Sequence, residues 1–581
     1  MKSTVSPNPV SEAGSNPGLA PFDLSDYRGV AGYNFYKEDP LLRRFIARYG
    51  VQSAASPQHR AAIENHLIEF GELAGGILNE LTIAAHKEGK YGEVVPYDAT
   101  GNRIDEVRYC PEQQEIRRIC YEHGIVNLNY HADWPYAFTM LHRMALAYIS
   151  NQNGEAGVNC PLAMTDGMIR VLEAKGTPEQ QDRFLPLVAG PDSDSHFMAG
   201  QYVTERVGGS NVGQNRTIAH KQADGTYILT GEKWFCSNPG DLWVTTARVV
   251  GADGEPNGPI GMFLVPRIKR NGQLNGCRIL RKKDIIGSRG KITVETVYED
   301  VEAEELGRPA HGLANMIKYV IGTSRIHVAV AACGTSRRAY LEARAYVQAR
   351  EAYGRKVIEF PTVLRTLAEM QILHSSMMWC NFRNFLLKDE EHPASELLTP
   401  LMKYISTVHA TWITHQAMML HGGNGILNDF SVLPRLHNDA IINETWEGTH
   451  NIIGEHVLKA YSRPRVRAAF FELIDENITR AEASKTELPY VRKIYQQQRR
   501  MLADAGDLGG EWAAMNRLAI CDSLYHCLAL SEWMCEAGEG EELMIGIARG
   551  MAEIVERGRL GATRPHGTFS DLDLLEAIVA Y

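Results

Sequence analysis

Three features are missing from the sequence: paired cysteines, long apolar runs and an excess of basic charge. Its ten cysteines form no C-x-x-C pair and no cysteine–histidine cluster at zinc spacing, which favours reduced thiols in a cytoplasmic protein. No apolar run reaches the roughly eighteen residues that a membrane-spanning helix needs. The net charge of -10 and the isoelectric point of about 6.1 argue against a general nucleic-acid binder.

The common motifs of nucleotide, hydrolase and metal sites are missing as well. No G-x-G-x-x-G follows a predicted strand and no G-x-x-x-x-G-K-[ST] occurs, so neither a Rossmann site nor a P-loop is supported. The motifs G-x-S-x-G and H-E-x-x-H are absent, and the 20 histidines show no ligand spacing. The sequence therefore gives no support for metal catalysis.

The length and composition are those of a large globular protein. At 581 residues and 64.7 kDa, the chain is long enough for about three or four domains. Apolar residues make up 44% and charged residues 22%, both close to the average of folded proteins. Residues 1–20 are rich in Ser, Pro, Gly and Asn and contain no signal-peptide core, so we predict a flexible tail there.

Hydrophobic periodicity predicts the secondary structure of the rest. Steps of three and four residues predict helices at 61–84, 137–150 and 165–175, and Thr177 to Gln180 predicts a capped helix start. Alternation predicts a hairpin over 217–233, a second one from 243–250 and 260–265, and a strand at 292–298. Helical periodicity returns at 325–349, 360–388 and 399–420, with Pro400 in the first turn of the last helix.

These elements predict a mainly α-helical protein with a small central β domain. The predicted order is an N-terminal helical domain, the β domain, a helical bundle and a further C-terminal helical region. The boundaries are placed at 21–194, 195–305, 306–460 and 461–581.

Glu447 is the candidate catalytic residue. It lies between Trp446 and Gly448, and no Lys or Arg stands within several positions of it. Partial burial beside the indole would raise the pKa of this carboxyl, which suits a base that removes a proton near neutral pH. An ordinary helix-start carboxylate beside a capping Thr449 explains the same local pattern.

Three further polar clusters could contact a ligand. Residues 201–205 (QYVTE), followed by 208–211 (GGSN), offer consecutive amides that could enclose a polar ring or a phosphate. Residues 234–238 (WFCSN) follow the first hairpin, and residues 350–355 (REAYGR) carry two guanidinium groups suited to an anion such as a pyrophosphate. Two strand ends and a solvated helix end are the alternative interpretations of the three clusters.

Five motifs follow one another along the chain: YVTE with GGSN, EKWFCSN, REAYGR, HGGNG and WEGT. In this order they resemble the motifs of the acyl-CoA dehydrogenase superfamily over about residues 60–460. Three further regions are similar to the adaptive-response branch of that superfamily: PYDATGNRIDEVRYCPEQQEI, GIVNLNY and the region beyond residue 461. In the bacterial namesake of that branch a basic C-terminal domain is associated with DNA. Here residues 461–581 hold 14 Lys and Arg against 19 Asp and Glu, so the DNA role is not carried over.

The resemblance implies an FAD site between the β domain and the bundle. It places three residues at the flavin ring (Tyr202, Val203 and Thr204), Ser210 near the pyrophosphate or the substrate, and Phe235 and Ser237 beside the flavin. Arg350 would meet the FAD pyrophosphate across a subunit boundary, and Gly422 and Gly423 would reach a neighbour's cofactor, which implies a homodimer or homotetramer. Thr449 and Asn451, the latter where a glutamine is common, complete the implied cofactor contacts.

The resemblance also implies a reaction. Glu447 would remove the α-proton of an acyl-CoA thioester while the β-hydrogen leaves as a hydride to flavin N5, giving the 2-enoyl-CoA. The main-chain amide of Glu447 and a ribityl hydroxyl would polarise the carbonyl, and Arg325, Trp446 and Gly448 would lie at the substrate. Ser324 occupies an alternative base position and cannot act as a base. An electron-transfer flavoprotein is the expected acceptor.

Two departures from the family pattern leave the electron acceptor open. Asn211 replaces the usual aspartate, as in the oxidase relatives, and Asn438 stands where an arginine commonly precedes Asp439. The predicted function is therefore an FAD-dependent acyl-CoA dehydrogenase. An acyl-CoA oxidase that uses oxygen, and a stress-response flavoprotein with a binding role, are the alternatives.

Overall fold

The computed structural model describes residues 24, 27–191, 196–484, 486–504, 511–558 and 571–581. The flexible tail predicted at residues 1–20 lies outside them. The protein is mainly α-helical with a small central β domain, as predicted, and its core is continuous from the first helices to the last. The domain boundaries given above stay a prediction; the main sheet begins at Ala199 and ends at Glu305.

The N-terminal region contains seven described helices: α1 Pro40–Ser53, α2 Pro57–Gly75, α3 Ile77–Ala85, α4 Pro111–Glu122, α5 Met140–Ser150, α6 Asn159–Lys175 and α7 Pro178–Ala189. The single helix predicted at 61–84 was wrong, because α2 and α3 are separated at Gly76. A Cβ at the preceding Gly75 would lie 1.6 Å from the Tyr33 carbonyl oxygen. The backbone at Tyr33 therefore passes very close to the end of α2 at this break. The capped start at Thr177 is confirmed, with Gln180 completing a capping box.

A two-stranded hairpin interrupts the predicted N-terminal helical block. Strands β1 Glu93–Tyr97 and β2 Arg103–Arg108 pair antiparallel, and Val94 and Val107 pack against the core of the later β domain. The Asp105 carboxylate accepts from the Ile279 amide at 3.2 Å. The helical prediction failed here because the apolar partners of this hairpin lie far along the chain.

The main sheet has seven strands: β3 Ala199–Tyr202, β4 Ile218–Lys221, β5 Tyr227–Ser237, β6 Leu242–Val249, β7 Ile260–Pro266, β8 Cys277–Lys282 and β9 Thr293–Glu305. The β4–β5 and β6–β7 hairpins were predicted and are confirmed. The pairings β6–β4–β5–β9–β7 return to β6, which closes the sheet into a barrel. The parallel pairing of β3 with β6 fixes the strand that leads into residues 201–205.

The bundle follows as α8 Gly312–Asn315, α9 Gly322–Ala349, α10 Pro361–Asp389, α11 Ser395–His421, α12 Leu433–Thr445 and α13 His450–Tyr461. The short strands β10 Glu351–Ala352 and β11 Arg355–Lys356 pair between α9 and α10. Pro400 lies inside α11 rather than in its first turn, because the helix begins at Ser395. Helices α9 and α11 pack against each other and carry side chains into the candidate site.

The C-terminal region continues as α14 Pro464–Glu482, α15 Pro489–Asp504, α16 Glu511–Met515, α17 Arg517–Ala537, α18 Glu542–Arg557 and α19 Leu572–Ala580. Trp533 on α17 packs against Trp379 on α10, with ring centroids 5.4 Å apart. This region therefore shares the core of the bundle. Within the described part of the chain, no helix combines the length and the apolar character needed to cross a membrane.

Candidate active site

Glu447 lies in a tight turn between α12 and α13. Its backbone φ is +55°, a left-handed conformation that is uncommon for residues other than glycine and that occurs often at functional sites. The turn follows Trp446, which ends α12, and precedes Thr449, which starts α13 without a side-chain capping bond. The carboxyl group points away from the start of α13 to partners on β3 and α9, so Glu447 is not an ordinary helix-start carboxylate.

Two side chains donate hydrogen bonds to the same oxygen of the Glu447 carboxyl. Gln201 Nε2 on β3 lies 2.5 Å from Oε1, and Ser324 Oγ on α9 lies 2.8 Å from it. No side chain of the described residues donates to Oε2. The two carboxyl oxygens are therefore chemically different, and Oε2 is the one left to accept a proton.

Two basic side chains from different helices bind the main chain of the turn. Arg325 Nε on α9 donates to the Glu447 carbonyl at 3.2 Å, and its guanidinium also contacts His456 Nδ1 at 2.9 Å. Lys403 Nζ on α11 donates to the carbonyls of Glu444 at 3.0 Å and Gly448 at 2.8 Å. These bonds stabilise the left-handed conformation at Glu447, because they fix the carbonyls on both sides of it.

Burial raises the pKa of the Glu447 carboxyl, although the Ser324 bond, the charges of Arg325 and Lys403 and the Gln201 bond oppose that rise. The sequence shows no cation near Glu447, whereas the fold brings two. The pKa of Glu447 is nevertheless raised, as predicted, because desolvation outweighs the charges of these two cations. Burial also lowers the pKa of Lys403 to about 7, so the local charge depends on pH.

The main-chain N–H of Glu447 is directed to no acceptor among the described residues. The turn is half-buried, and an unpaired amide that is shielded from water costs free energy unless a ligand accepts from it. The amide lies beside a base with a free oxygen. The turn can therefore donate to a carbonyl and remove a proton next to that carbonyl.

Strand β3 places its side chains on two opposite faces. Tyr202 points into the β-domain core, where its ring stacks on Trp243 with centroids 5.3 Å apart. Its side chain therefore cannot make the predicted flavin contact, which is left to its main chain. Gln201 and Val203 point to the other face, and the half-buried Thr204 accepts from the Trp234 amide through its carbonyl at 2.8 Å.

The end of β5 brings Phe235 and Ser237 toward the same region. Phe235 is 49% exposed, which leaves an aromatic face for a ligand. Ser237 Oγ contacts the buried Lys291 at 3.2 Å, and this ammonium lies 4.9 Å from the centre of the Trp446 ring. Ser237 and the Glu447 turn are thus joined through a buried cation that the sequence did not reveal.

A cavity lies away from the Glu447 turn. Arg350, Gly422 and Gly423 line one groove of about 840 Å³, together with Tyr346, Met419 and Asn424. A Cβ at either glycine would meet no atom within 4 Å, so the backbone there is open to a ligand. The fold thus brings together the predicted guanidinium and the predicted glycine turn.

The groove and the β-domain edge fit FAD. The groove offers a cation and open backbone to a pyrophosphate or an adenine. The edge offers an exposed aromatic ring at Phe235, and the Gln201 amide oxygen there is buried with no partner. Such an unpaired acceptor is free to accept a hydrogen bond from a bound ligand.

The remaining predicted cofactor residues lie at the surface. Ser210 is exposed and follows Gly209, whose added Cβ would lie 2.4 Å from Thr204 Oγ1, so this loop folds back on Thr204. Asn451 is exposed in the first turn of α13, and its carbonyl accepts from Arg517 at 3.3 Å. Their predicted contacts, like those of Thr449, stay predictions.

Sequence reasoning named Gln201 only as part of the cluster 201–205 and missed its bond to Glu447, and it missed Lys291 and Lys403 altogether. Gln201 could have been found, because strand alternation puts it on the face opposite Tyr202. Lys403 lies more than forty residues before Glu447, and nothing in its local sequence predicts the contact. Lys291 lies farther away in the chain, between β8 and β9. Neither lysine is near the site in sequence.

Three family models match the chain. The acyl-CoA dehydrogenase C-terminal domain matches residues 310–462, the N-terminal domain of the adaptive response protein AidB matches residues 27–195, and the acyl-CoA dehydrogenase middle domain matches residues 200–301. The middle-domain model covers β3 to the first part of β9, and the C-terminal model covers the bundle and the Glu447 turn. Gln201 lies in the match to the middle-domain model and Glu447 in the match to the C-terminal model.

Individual proteins give the same result. Acyl-CoA dehydrogenase family member 11 of Caenorhabditis elegans is 29% identical over 501 residues, which cover 82% of this chain and 80% of the relative. Escherichia coli AidB is 28% identical over 434 residues, 72% of this chain and 77% of AidB. The crystal structure of Caenorhabditis elegans ACDH-11 in complex with C11-CoA superposes with a TM-score of 0.81 at 25% identity, covering 93% of both chains. The chain belongs to the acyl-CoA dehydrogenase superfamily of FAD-dependent enzymes, in the branch with an AidB-type N-terminal domain.

Proposed function

We propose that this enzyme dehydrogenates an acyl-CoA thioester to the 2-enoyl-CoA, with Glu447 as the base that removes the α-proton. The observation that carries the proposal is the Glu447 turn. It presents a carboxyl of raised pKa in which one oxygen accepts no side-chain bond from the described residues, beside a main-chain N–H that meets no acceptor among them. The C11-CoA complex of the ACDH-11 relative supports an acyl-CoA as the substrate.

The residues of this chain supply three effects. The Glu447 N–H donates to the thioester carbonyl, and this bond strengthens as negative charge develops on that oxygen. Oε2 takes the α-proton, while Gln201 and Ser324 keep Oε1 in place. Arg325 and Lys403 fix the turn, so the amide and the carboxyl keep one relative geometry.

FAD, when bound, supplies the acceptor for the β-hydride. Val203, Thr204, Phe235 and Ser237 would hold its ring at the β-domain edge, with the main chain of Tyr202. Arg350, Gly422 and Gly423 would hold a pyrophosphate or an adenine in the groove of about 840 Å³. We propose that this second group serves the cofactor of a neighbouring subunit in a homodimer or homotetramer, and that an electron-transfer flavoprotein reoxidises the enzyme.

Anaerobic addition of acyl-CoAs to the FAD-loaded protein tests the function directly. A panel of straight, branched and ring-bearing acyl chains is mixed with the enzyme while the flavin absorbance is followed. At least one chain type should bleach the flavin and yield the 2-enoyl product. Absence of bleaching with every member, while FAD stays bound, would contradict the proposal.

Substitution of Arg350 tests the cofactor groove. We expect Arg350→Gln to weaken FAD binding by about tenfold or more, because a charge-assisted bond to a phosphate is worth about 1.5–3 kcal/mol. The measurement is the FAD retained after gel filtration, together with the oligomeric state. Arg465→Gln is the matched control, since Arg465 is exposed, pairs with Glu396 and lies outside every candidate site. Equal FAD retention in both variants would exclude Arg350 from the cofactor site.

An acyl-CoA oxidase is the second candidate. Lys291 supports it, because a buried ammonium beside Ser237 would stabilise negative charge that passes to oxygen next to the flavin, and Asn211 departs from the usual dehydrogenase aspartate. In that case oxygen accepts two electrons and two protons and leaves as hydrogen peroxide. Peroxide release in air without an added acceptor would establish the oxidase, and turnover that requires an added acceptor would exclude it.

A further inference from the structure

Gln201 makes the shortest side-chain contact to the proposed base, and neither the sequence motifs nor the family comparison assigns it a role. Its Nε2 lies 2.5 Å from Glu447 Oε1. Its own amide oxygen is buried and has no hydrogen-bond partner in the described chain. This oxygen is therefore available to accept a hydrogen bond from a bound molecule.

We propose that Gln201 is a positioning residue for the dehydrogenation: together with Ser324 it occupies Oε1 of Glu447, so that Oε2 faces the substrate as the proton acceptor. This inference rests on the proposed function of Glu447. The unpartnered amide oxygen of Gln201 accepts from a hydroxyl or N–H of a bound molecule, so that the side chain links the base to its ligand.

The bond from Gln201 also acts on the charge of Glu447. A donor that faces the carboxylate stabilises the ionised form and opposes the rise in pKa that burial causes. The other groups that face Glu447 come from α9, α11 and α6: Arg325, Lys403 and the Cys160 thiol. They are unchanged in a Gln201 variant, so their titration is common to all the proteins compared.

The sign of the pH effect follows from the role of the base. Glu447 must be ionised to remove a proton, so activity falls as the pH falls through its pKa. Loss of the Gln201 donor raises that pKa, because the ionised form loses a hydrogen bond. The acid limb of the pH profile therefore moves to higher pH.

Gln201→Met removes both polar atoms and keeps the size of the side chain. At pH 6.5 to 7 we expect kcat to fall about tenfold or more, as for the loss of a hydrogen bond to a charged group, with a smaller change in KM. Gln201→Glu is the isosteric second variant. It places a like charge beside Glu447, so its acid limb should move further and its activity should recover at alkaline pH. A purely structural role would lower activity equally at every pH.

Gln222→Met provides the matched control. Gln222 is an exposed glutamine in the β4–β5 turn, bonded to the His220 carbonyl, and the same substitution there should leave the pH profile unchanged.

The infrared carbonyl band of protonated Glu447 gives a measurement that does not depend on turnover. It is followed against pH in the FAD-loaded protein. Glu447→Gln removes that band and so assigns it. The band should persist to higher pH in Gln201→Met.

The two proposals fail in distinguishable ways. If Glu447→Gln keeps turnover, the proposed base and the role of Gln201 are both wrong. If Glu447→Gln is inactive while both Gln201 variants keep the wild-type acid limb and infrared titration, only the role of Gln201 is wrong. A shifted acid limb in both variants, with Gln222→Met unchanged, supports it.

Discussion

Glu447→Gln is expected to lower turnover by about a thousandfold or more, while FAD binding, thermal stability and oligomeric state stay unchanged. A positioned general base contributes roughly 10²–10⁴-fold to rate, and an amide cannot take the α-proton. The substitution keeps the size of the side chain and can keep the Ser324 bond. The bonds from Arg325 and Lys403 to the turn use main-chain carbonyls, so the turn itself should persist.

The measurement is the single-turnover rate of flavin bleaching with the best acyl-CoA of the panel, because this step reports proton and hydride removal without reoxidation. Glu444→Gln is the control. Glu444 lies three residues earlier, is half-buried and pairs with His450 at 3.0 Å, and its substitution should leave the bleaching rate within a few-fold of wild type. A Glu447→Gln enzyme that keeps a tenth of the wild-type rate would show that another residue is the base.

The sequence was sufficient to propose Glu447 but not to explain its environment. The neighbours Trp446 and Gly448 are adjacent in the chain, so local reasoning reached them. Gln201 comes from the β domain and Lys403 from α11, and both act through contacts that only the tertiary fold creates. The raised pKa of Glu447 was predicted from burial alone, and the structure shows that burial outweighs two nearby cations. The resemblance placed Arg325 at the substrate, whereas nothing in the sequence placed Lys403 there.

The same dependence on tertiary contacts explains which elements of the fold could be predicted from the sequence. Long helices such as α10 were found from their periodicity, because each turn carries the same signal. The β1–β2 hairpin was missed, since its apolar residues find their partners in a barrel formed much later in the chain. The break at Gly76 depends on a crossing by the Tyr33 backbone, which no pattern within 61–84 could show.

Glu532 is expected to decide whether the C-terminal region stays docked. This buried carboxylate on α17 accepts from Arg383 Nε at 3.0 Å, from Asn477 Nδ2 at 2.9 Å and from Trp379 Nε1 at 3.2 Å. Glu532→Ala leaves the buried Arg383 guanidinium without its partner. Removal of one member of a buried ion pair costs about 3–5 kcal/mol, so this substitution should destabilise the packing of α14 and α17 on α10 by about that amount.

Amide hydrogen exchange resolves this loss by region, because local opening has its own free energy. Protection of α14 and α17 should fall in Glu532→Ala, while the strands of the barrel keep theirs. Glu472→Ala on the exposed face of α14 is the control and should change neither. Glu532→Gln separates charge from shape, since its amide oxygen can replace one of the two carboxylate acceptors but carries no negative charge to pair with Arg383. Unchanged protection in Glu532→Ala would mean that apolar packing, such as that of Trp533 on Trp379, holds the region without the ion pair.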